Sequence, residues 1–124
     1  MKGKTLLIAI GTNQHCSKNM KQAKMLLCEY MEDIRFTEAM STKAIGIRGK
    51  NFLNALAKGT TTDSHEAVNS KLKDIEKTCG NTDEKRQKGL IEMDLDILEY
   101  GGKRYHEKDW QREYIVKLLK ELEK

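Results

Sequence analysis

Residues 92–100 read EMDLDILEY, two aspartates set two apart in a strongly apolar run. Side chains on a β-strand alternate faces with period two. Met93, Leu95 and Ile97 therefore point one way, into a core, and Glu92, Asp94 and Asp96 point the other. The segment fits a strand that is buried on one face and open to water or a ligand on the other. Carboxylates at i and i+2 on one strand face lie about 7 Å apart, a ready site for Mg²⁺, which commonly shares its shell with substrate phosphates. That pattern points to phosphoryl chemistry on a nucleotide. The other reading of the same residues is a half-solvated strand face with no metal.

Around this strand the chain alternates between the two regular patterns. Thr5–Ile10 (TLLIAI) is a continuous apolar run ended by Gly11, as in a buried strand. Residues 17–32 carry Met20, Ala23, Leu27, Tyr30 and Met31 on one helical stripe, with Ser17 as the expected N-cap. Residues 33–40 alternate as a strand, and 41–50 read as a loop. Asn51–Gly59 is ambiguous in period and is read as a strand. Residues 63–79 form a second helix, with Val68, Leu72, Ile75 and Cys79 on one face, Asp63 and Glu66 at capping-box spacing, and Gly80 beyond its end. Residues 81–90 read as an exposed polar loop, 91–99 as the aspartate strand, and Gly101–Gly102 as a tight turn. A last helix spans 107–123, with Trp110, Tyr114, Leu118 and Leu122 on one stripe. The order β-α-β-β-α-β-α predicts an α+β domain over 1–124. It is a ferredoxin-like βαββαβ unit with a C-terminal helix: a four-stranded antiparallel sheet, helices on one face, the other open for a ligand.

The chain has 124 residues, 38% hydrophobic and 34% charged, which suits one charged globular domain. No apolar run approaches membrane-spanning length, and Leu6–Ile10 is too short for a signal-peptide core, so no membrane is expected. The three cysteines show no CxxC pairing and read as reduced thiols of a cytoplasmic protein, with Cys28 and Cys79 expected in the core. The net charge of +4 suits a small polyanion such as ATP but is too weak to argue for nucleic acid. An RNA reader of this architecture would carry aromatics on its central strands, where this chain places carboxylates. A monomer is the default.

Four segments together resemble the 6-hydroxymethyl-7,8-dihydropterin pyrophosphokinase family of the folate pathway. IAIGTN (8–13) is similar to that family's strand ending in G-S/T-N, and NFLNA (51–55) to its Y/F-L-N-A segment. MDLDIL (93–98) is similar to its L-D-L-D-I-L run, and His106, Arg112 and Tyr114 keep the spacing of its H-x5-R-x-F. The resemblance covers nearly the whole chain and keeps the family's element order.

It implies a Mg²⁺-dependent transferase that moves a diphosphate from ATP to the pterin hydroxymethyl group and releases AMP. Asp94 and Asp96 would bind two Mg²⁺ ions. Asn54 would hydrogen-bond the pterin edge, Phe52 and Tyr114 would stack on its faces, and Thr42 and Ile45 would touch it from the loop. Glu76, Ile97, His106 and Arg112 match positions near ATP, and Arg112 would fork onto phosphate in a catalytic role. The structural alternatives are core packing for Phe52 and Tyr114, a strand-end cap for Asn54, a surface ion pair for Arg112 and plain solvation for His106. A catalytically degenerate relative that binds a pterin or nucleotide without transfer is the second reading.

The stretch before the aspartate strand departs from the family. Asn81 stands where a catalytic arginine is expected, Asp83 replaces another cation, Lys88 a tryptophan and Ile91 a further arginine. STKAIG lacks both prolines of the family's R-T-P-P-L-G loop, and the segment before His106 is shorter than the family's. Lys85, Arg86 and Lys88 are the candidates for replacement charge; the alternative is a solvated basic loop.

Overall fold

A computed structural model describes residues 3–43 and 51–123. The chain runs β1 (Lys4–Thr12), α1 (Cys16–Tyr30), β2 (Glu32–Phe36), β3 (Met40–Thr42), β4 (Phe52–Thr61), α2 (His65–Thr78), α3 (Asp83–Gln87), β5 (Asp94–Tyr100), β6 (Lys103–Arg104), a 3-10 turn (Asp109–Gln111) and α4 (Glu113–Leu122).

The sheet has six strands, not the four expected. They lie in the order β2-β4-β1-β5-β6 with β3 also on β4, and every pairing is antiparallel. The βαββαβ order itself is kept. The extra strands have two local causes. Residues 33–40 break in two because Phe36 faces Ala57 and Met40 faces Asn54, four residues on along one chain but three back along the other. The extra residue makes a bulge. Thr37 spans it, donating its N–H to the Leu56 carbonyl and accepting the Leu56 N–H on its hydroxyl. The sixth strand returns from Gly101–Gly102, whose φ values of 58° and 91° suit a two-residue hairpin.

Both faces of the sheet are covered, so the expectation of helices on one face alone is corrected. Leu6, Ile8, Ile10, Ala55, Ala57, Leu95 and Ile97 pack under α1 and α2 through Met20, Ala23, Leu27, Val68, Leu72 and Ile75. On the other face Leu7, Leu56 and Leu98 meet Ile115, Leu118 and Leu122 of α4. Two-sided burial is why residues 6–10 of β1 form an unbroken apolar run. The C-terminal helix starts at Glu113 rather than 107, because Arg112 is extended (φ −67°, ψ 137°) after the 3-10 turn.

Several local expectations shift. Ser64, not Asp63, caps α2 by accepting the Ala67 N–H. The first helix begins after His15, which is left-handed (φ 46°) and caps with no side-chain bond, so Ser17 is inside it. Cys79 is buried as expected, but Cys28 is exposed because the buried stripe of α1 runs through Met20, Ala23 and Leu27. Among the described residues no helix is long and apolar enough to cross a membrane.

Gly59 of β4 sits tight against the start of β2. A Cβ there would lie 2.7 Å from the Glu32 carbonyl oxygen and 3.1 Å from Met31 Cε. Gly59→Ala is expected to lower stability by about 1–3 kcal/mol. Urea unfolding measures this; an unchanged midpoint would contradict the approach.

Candidate functional site

Three sequence segments meet in one cross-strand row. Gly11 of β1 faces Asn54 on β4 and Asp94 on β5, and one step along, Ala9 faces Asp96. Because Gly11 has no side chain, the floor between Asn54 and Asp94 stays open. The Phe52, Asn54 and Asp94 side chains rise around a cavity of about 300 Å³, with Asp96, Asp109, Arg112 and Tyr114 also lining it. α4 buries the far half of the same sheet face, and its first turn borders the cavity through Tyr114.

A second cavity, of about 650 Å³, lies on the other side of the aspartates, lined by Lys73, Glu76, Lys77, Arg86, Asp94 and Asp96. Asp94 and Asp96 line both cavities. Both volumes are in the range of small-molecule sites.

The phase of β5 puts the aspartates there. Leu95 and Ile97 are buried under the helices, and Asp94 and Asp96 take the opposite face, as read from the sequence. Glu92 does not follow them. It precedes the paired strand and is 6% exposed. It accepts hydrogen bonds from Asn19 Nδ2 at 2.9 Å and Lys85 Nζ at 3.0 Å, and its Oε1 lies 2.9 Å from His15 Nδ1. Burial works against its charge, but these partners win and hold its carboxyl down at about 2.

Asp96 shows the reverse. Burial, then the charge of Asp94, push its carboxyl up to about 7, against the pull of His106, whose Nε2 is 4.0 Å from Asp96 Oδ1. Asp94 Oδ1 is 3.2 Å from Arg86 Nη2. Two adjacent carboxylates, one made harder to ionise by its surroundings, make a place where a cation is favoured. Among the described residues no cluster of three or more His, Cys, Asp or Glu side chains is arranged to hold a metal. Two carboxylates alone suit a hard ion that completes its shell with water and phosphate, as Mg²⁺ does.

Asn54 is fixed by its neighbours. Its Nδ2 donates to the Met40 carbonyl at 3.2 Å and to Thr42 Oγ1 at 2.8 Å. A carbonyl only accepts, so the amide cannot be turned over, and both donors are spent. The expectation of a donor–acceptor pair for a ligand narrows to an acceptor, Oδ1. Arg112 Nε donates to Asp109 Oδ1 at 3.0 Å, which keeps part of its fork occupied. Burial raises the Tyr114 phenol, so its ring edge stays neutral at the cavity wall.

The structure thus gathers Phe52, Asn54, Asp94, Asp96, Arg112 and Tyr114 around one cavity. It puts Thr42 beside Arg112 and Tyr114 in an adjoining groove, and Glu76 in the second cavity. Glu76 Oε2 accepts the Leu95 N–H at 2.8 Å, and burial raises its carboxyl despite that bond. The Ile97 side chain is buried in the cluster under α1 and α2 and lines neither cavity. Ile45 lies outside the described residues. Sequence reading missed Asp109 as a wall residue. Its one signal was its place three residues before Arg112.

The 81–90 segment is more structured than a polar loop. It holds α3, capped by Thr82 accepting the Lys85 N–H. Asn81 accepts the Met93 N–H at 2.9 Å and returns a hydrogen bond to the Met93 carbonyl, so it pins this segment to the start of β5.

The family model of 7,8-dihydro-6-hydroxymethylpterin-pyrophosphokinase (HPPK) matches the chain over residues 7–124. No curated protein matches it.

Proposed function

The chain belongs to the HPPK family, and from that premise we propose that it transfers a diphosphate from ATP to the hydroxymethyl group of 6-hydroxymethyl-7,8-dihydropterin. The hydroxymethyl oxygen bonds to the β-phosphorus, the bond from that phosphorus to the α-phosphate oxygen breaks, AMP leaves, and the hydroxyl proton passes to solvent. One observation carries this reading: two cavities of different character share a wall made of Asp94 and Asp96. A transfer between two bound substrates needs that arrangement, since most of the acceleration comes from holding the reacting groups in line.

The cavity with Phe52, Asn54 and Tyr114 takes the pterin. The rings cover its flat faces, Asn54 Oδ1 accepts from its N–H edge, and Thr42 holds Asn54 in place. Ile45 is assigned to the same pocket by family resemblance alone. The cavity with Lys73, Lys77, Glu76 and Arg86 takes the nucleotide, with His106 and Arg112 flanking the aspartates. Asp94 and Asp96 are the residues that would hold two Mg²⁺ ions. Mg²⁺, when bound, neutralises charge on the phosphates.

Asn54→Ala tests the division of the site. Loss of one buried acceptor is expected to weaken dihydropterin binding by about tenfold, read by ligand fluorescence. Affinity for Mg²⁺ with a non-hydrolysable ATP analogue stays as in the parent. Equal loss of both ligands, or of neither, contradicts the assignment of the two cavities.

A further inference from the structure

Three cations lie in the segment 85–88, and the structure separates them. Lys85 Nζ is held by the Gly80 carbonyl and Glu92 Oε2, both at 3.0 Å. Lys88 pairs with Glu84 along α3, on the exposed side. Arg86 alone of the three reaches the shared wall of the two cavities. Its Nη2 is 3.2 Å from Asp94 Oδ1, 3.5 Å from Glu76 Oε1 and 3.4 Å from the Met93 carbonyl.

Its position is built. Asn81 clamps Met93 by both main-chain groups, Thr82 caps α3, and Lys85 ties the helix to the buried Glu92. α3 is thereby fixed against the start of β5, with Arg86 directed at the mouth of the larger cavity. Among the described residues all its polar contacts run through Nη2. A guanidinium has five N–H donors in a rigid fork. The Nε and Nη1 edge makes none of those contacts, and the side chain is 38% exposed beside Lys73 and Lys77. An ion pair this open to water is weak, so its partner is readily exchanged. A planar fork facing phosphate oxygens forms stronger, paired, charge-assisted bonds.

We propose that Arg86 is a phosphate-contacting arginine of this chain, supplied from α3. Without ligand it neutralises Asp94; when cation and nucleotide occupy the wall, it turns its remaining N–H edge to the phosphate chain. The proposal rests on reading the larger cavity as the nucleotide site.

Calorimetric titration with Mg²⁺ and a non-hydrolysable ATP analogue tests it on the parent, Arg86→Ala and Arg86→Lys. Arg86→Ala is expected to bind the analogue at least about tenfold more weakly, and Arg86→Lys to fall between, since a lysine keeps the charge but not the fork. Dihydropterin affinity and the melting temperature stay near the parent's. A purely structural Arg86 would instead move the melting temperature and leave the analogue affinity alone. Analogue binding by Arg86→Ala as tight as the parent's, or tighter, overturns the proposal while the nucleotide site stands. A parent that binds dihydropterin but no analogue overturns both together.

Discussion

Asp96→Asn is expected to lower turnover by about a thousandfold or more while leaving the ligand-free fold at least as stable as the parent. The two effects have one origin. Burial and the neighbouring Asp94 hold the Asp96 carboxyl up at about 7, against an ordinary value of 3.8. A carboxyl raised in the folded state binds its proton more tightly there than in the unfolded chain. Its ionisation therefore costs stability above about pH 7, and the cost is relieved as pH falls toward 3.8. The side chain is 35% exposed, so water screens part of this cost and about 1 kcal/mol is the reasonable size. Asparagine removes that cost at every pH. It also removes one of the two carboxylates proposed to hold Mg²⁺, and several kcal/mol of transition-state stabilisation with it. Melting at pH 8 and an AMP assay measure the two sides. A variant that keeps a tenth of the activity, or melts well below the parent, contradicts the role given to Asp96.

Glu92→Ala is expected to cost about 2–3 kcal/mol at neutral pH and to loosen α3. Glu92 is buried, and its loss strands His15, Lys85 and Asn19 around an empty acceptor position. Linkage gives a similar size. A carboxyl held at about 2 instead of 4.5 contributes on the order of 3 kcal/mol. The exposure of His15 (67%) and Lys85 (39%) trims this to about 2 kcal/mol. Because the folded-state value is depressed, this stability is fully present above about pH 4.5 and fades as pH falls toward 2. Urea unfolding from pH 6 down to pH 2 should show the parent losing it and Glu92→Ala with nothing there to lose. Hydrogen exchange should report weaker protection at 81–90 in the variant at neutral pH. A variant as stable as the parent at pH 7 would sink this account of the network.

The parts of the site that rest on strand period were legible in the sequence. Asp94 and Asp96 lie opposite Leu95 and Ile97 because a paired strand has no other way to turn. The same rule misled at Glu92, which lies before the ladder begins, where alternation no longer binds. The stripe of α4 was visible, but a stripe says that a helix packs and not on which sheet face; its docking on Leu7, Leu56 and Leu98 closed half of the face expected to be open. The break between β2 and β3 falls at Thr37, with no glycine or proline to mark it. By sequence, Asn81 stands for the loss of an arginine. Its paired bonds to Met93 give it a different task, holding the segment that brings Arg86 to Asp94. Such distant pairings leave no periodic signal.

In the proposed reaction the diphosphate passes across the Asp94–Asp96 wall. The most direct test supplies the protein with Mg²⁺, the hydroxymethyl dihydropterin and ATP labelled at the β-phosphate. The expected result is AMP released in step with label appearing on the pterin, dependent on the pterin and absent in Asp96→Asn. Binding of both substrates without AMP, or AMP release indifferent to the pterin, would contradict it.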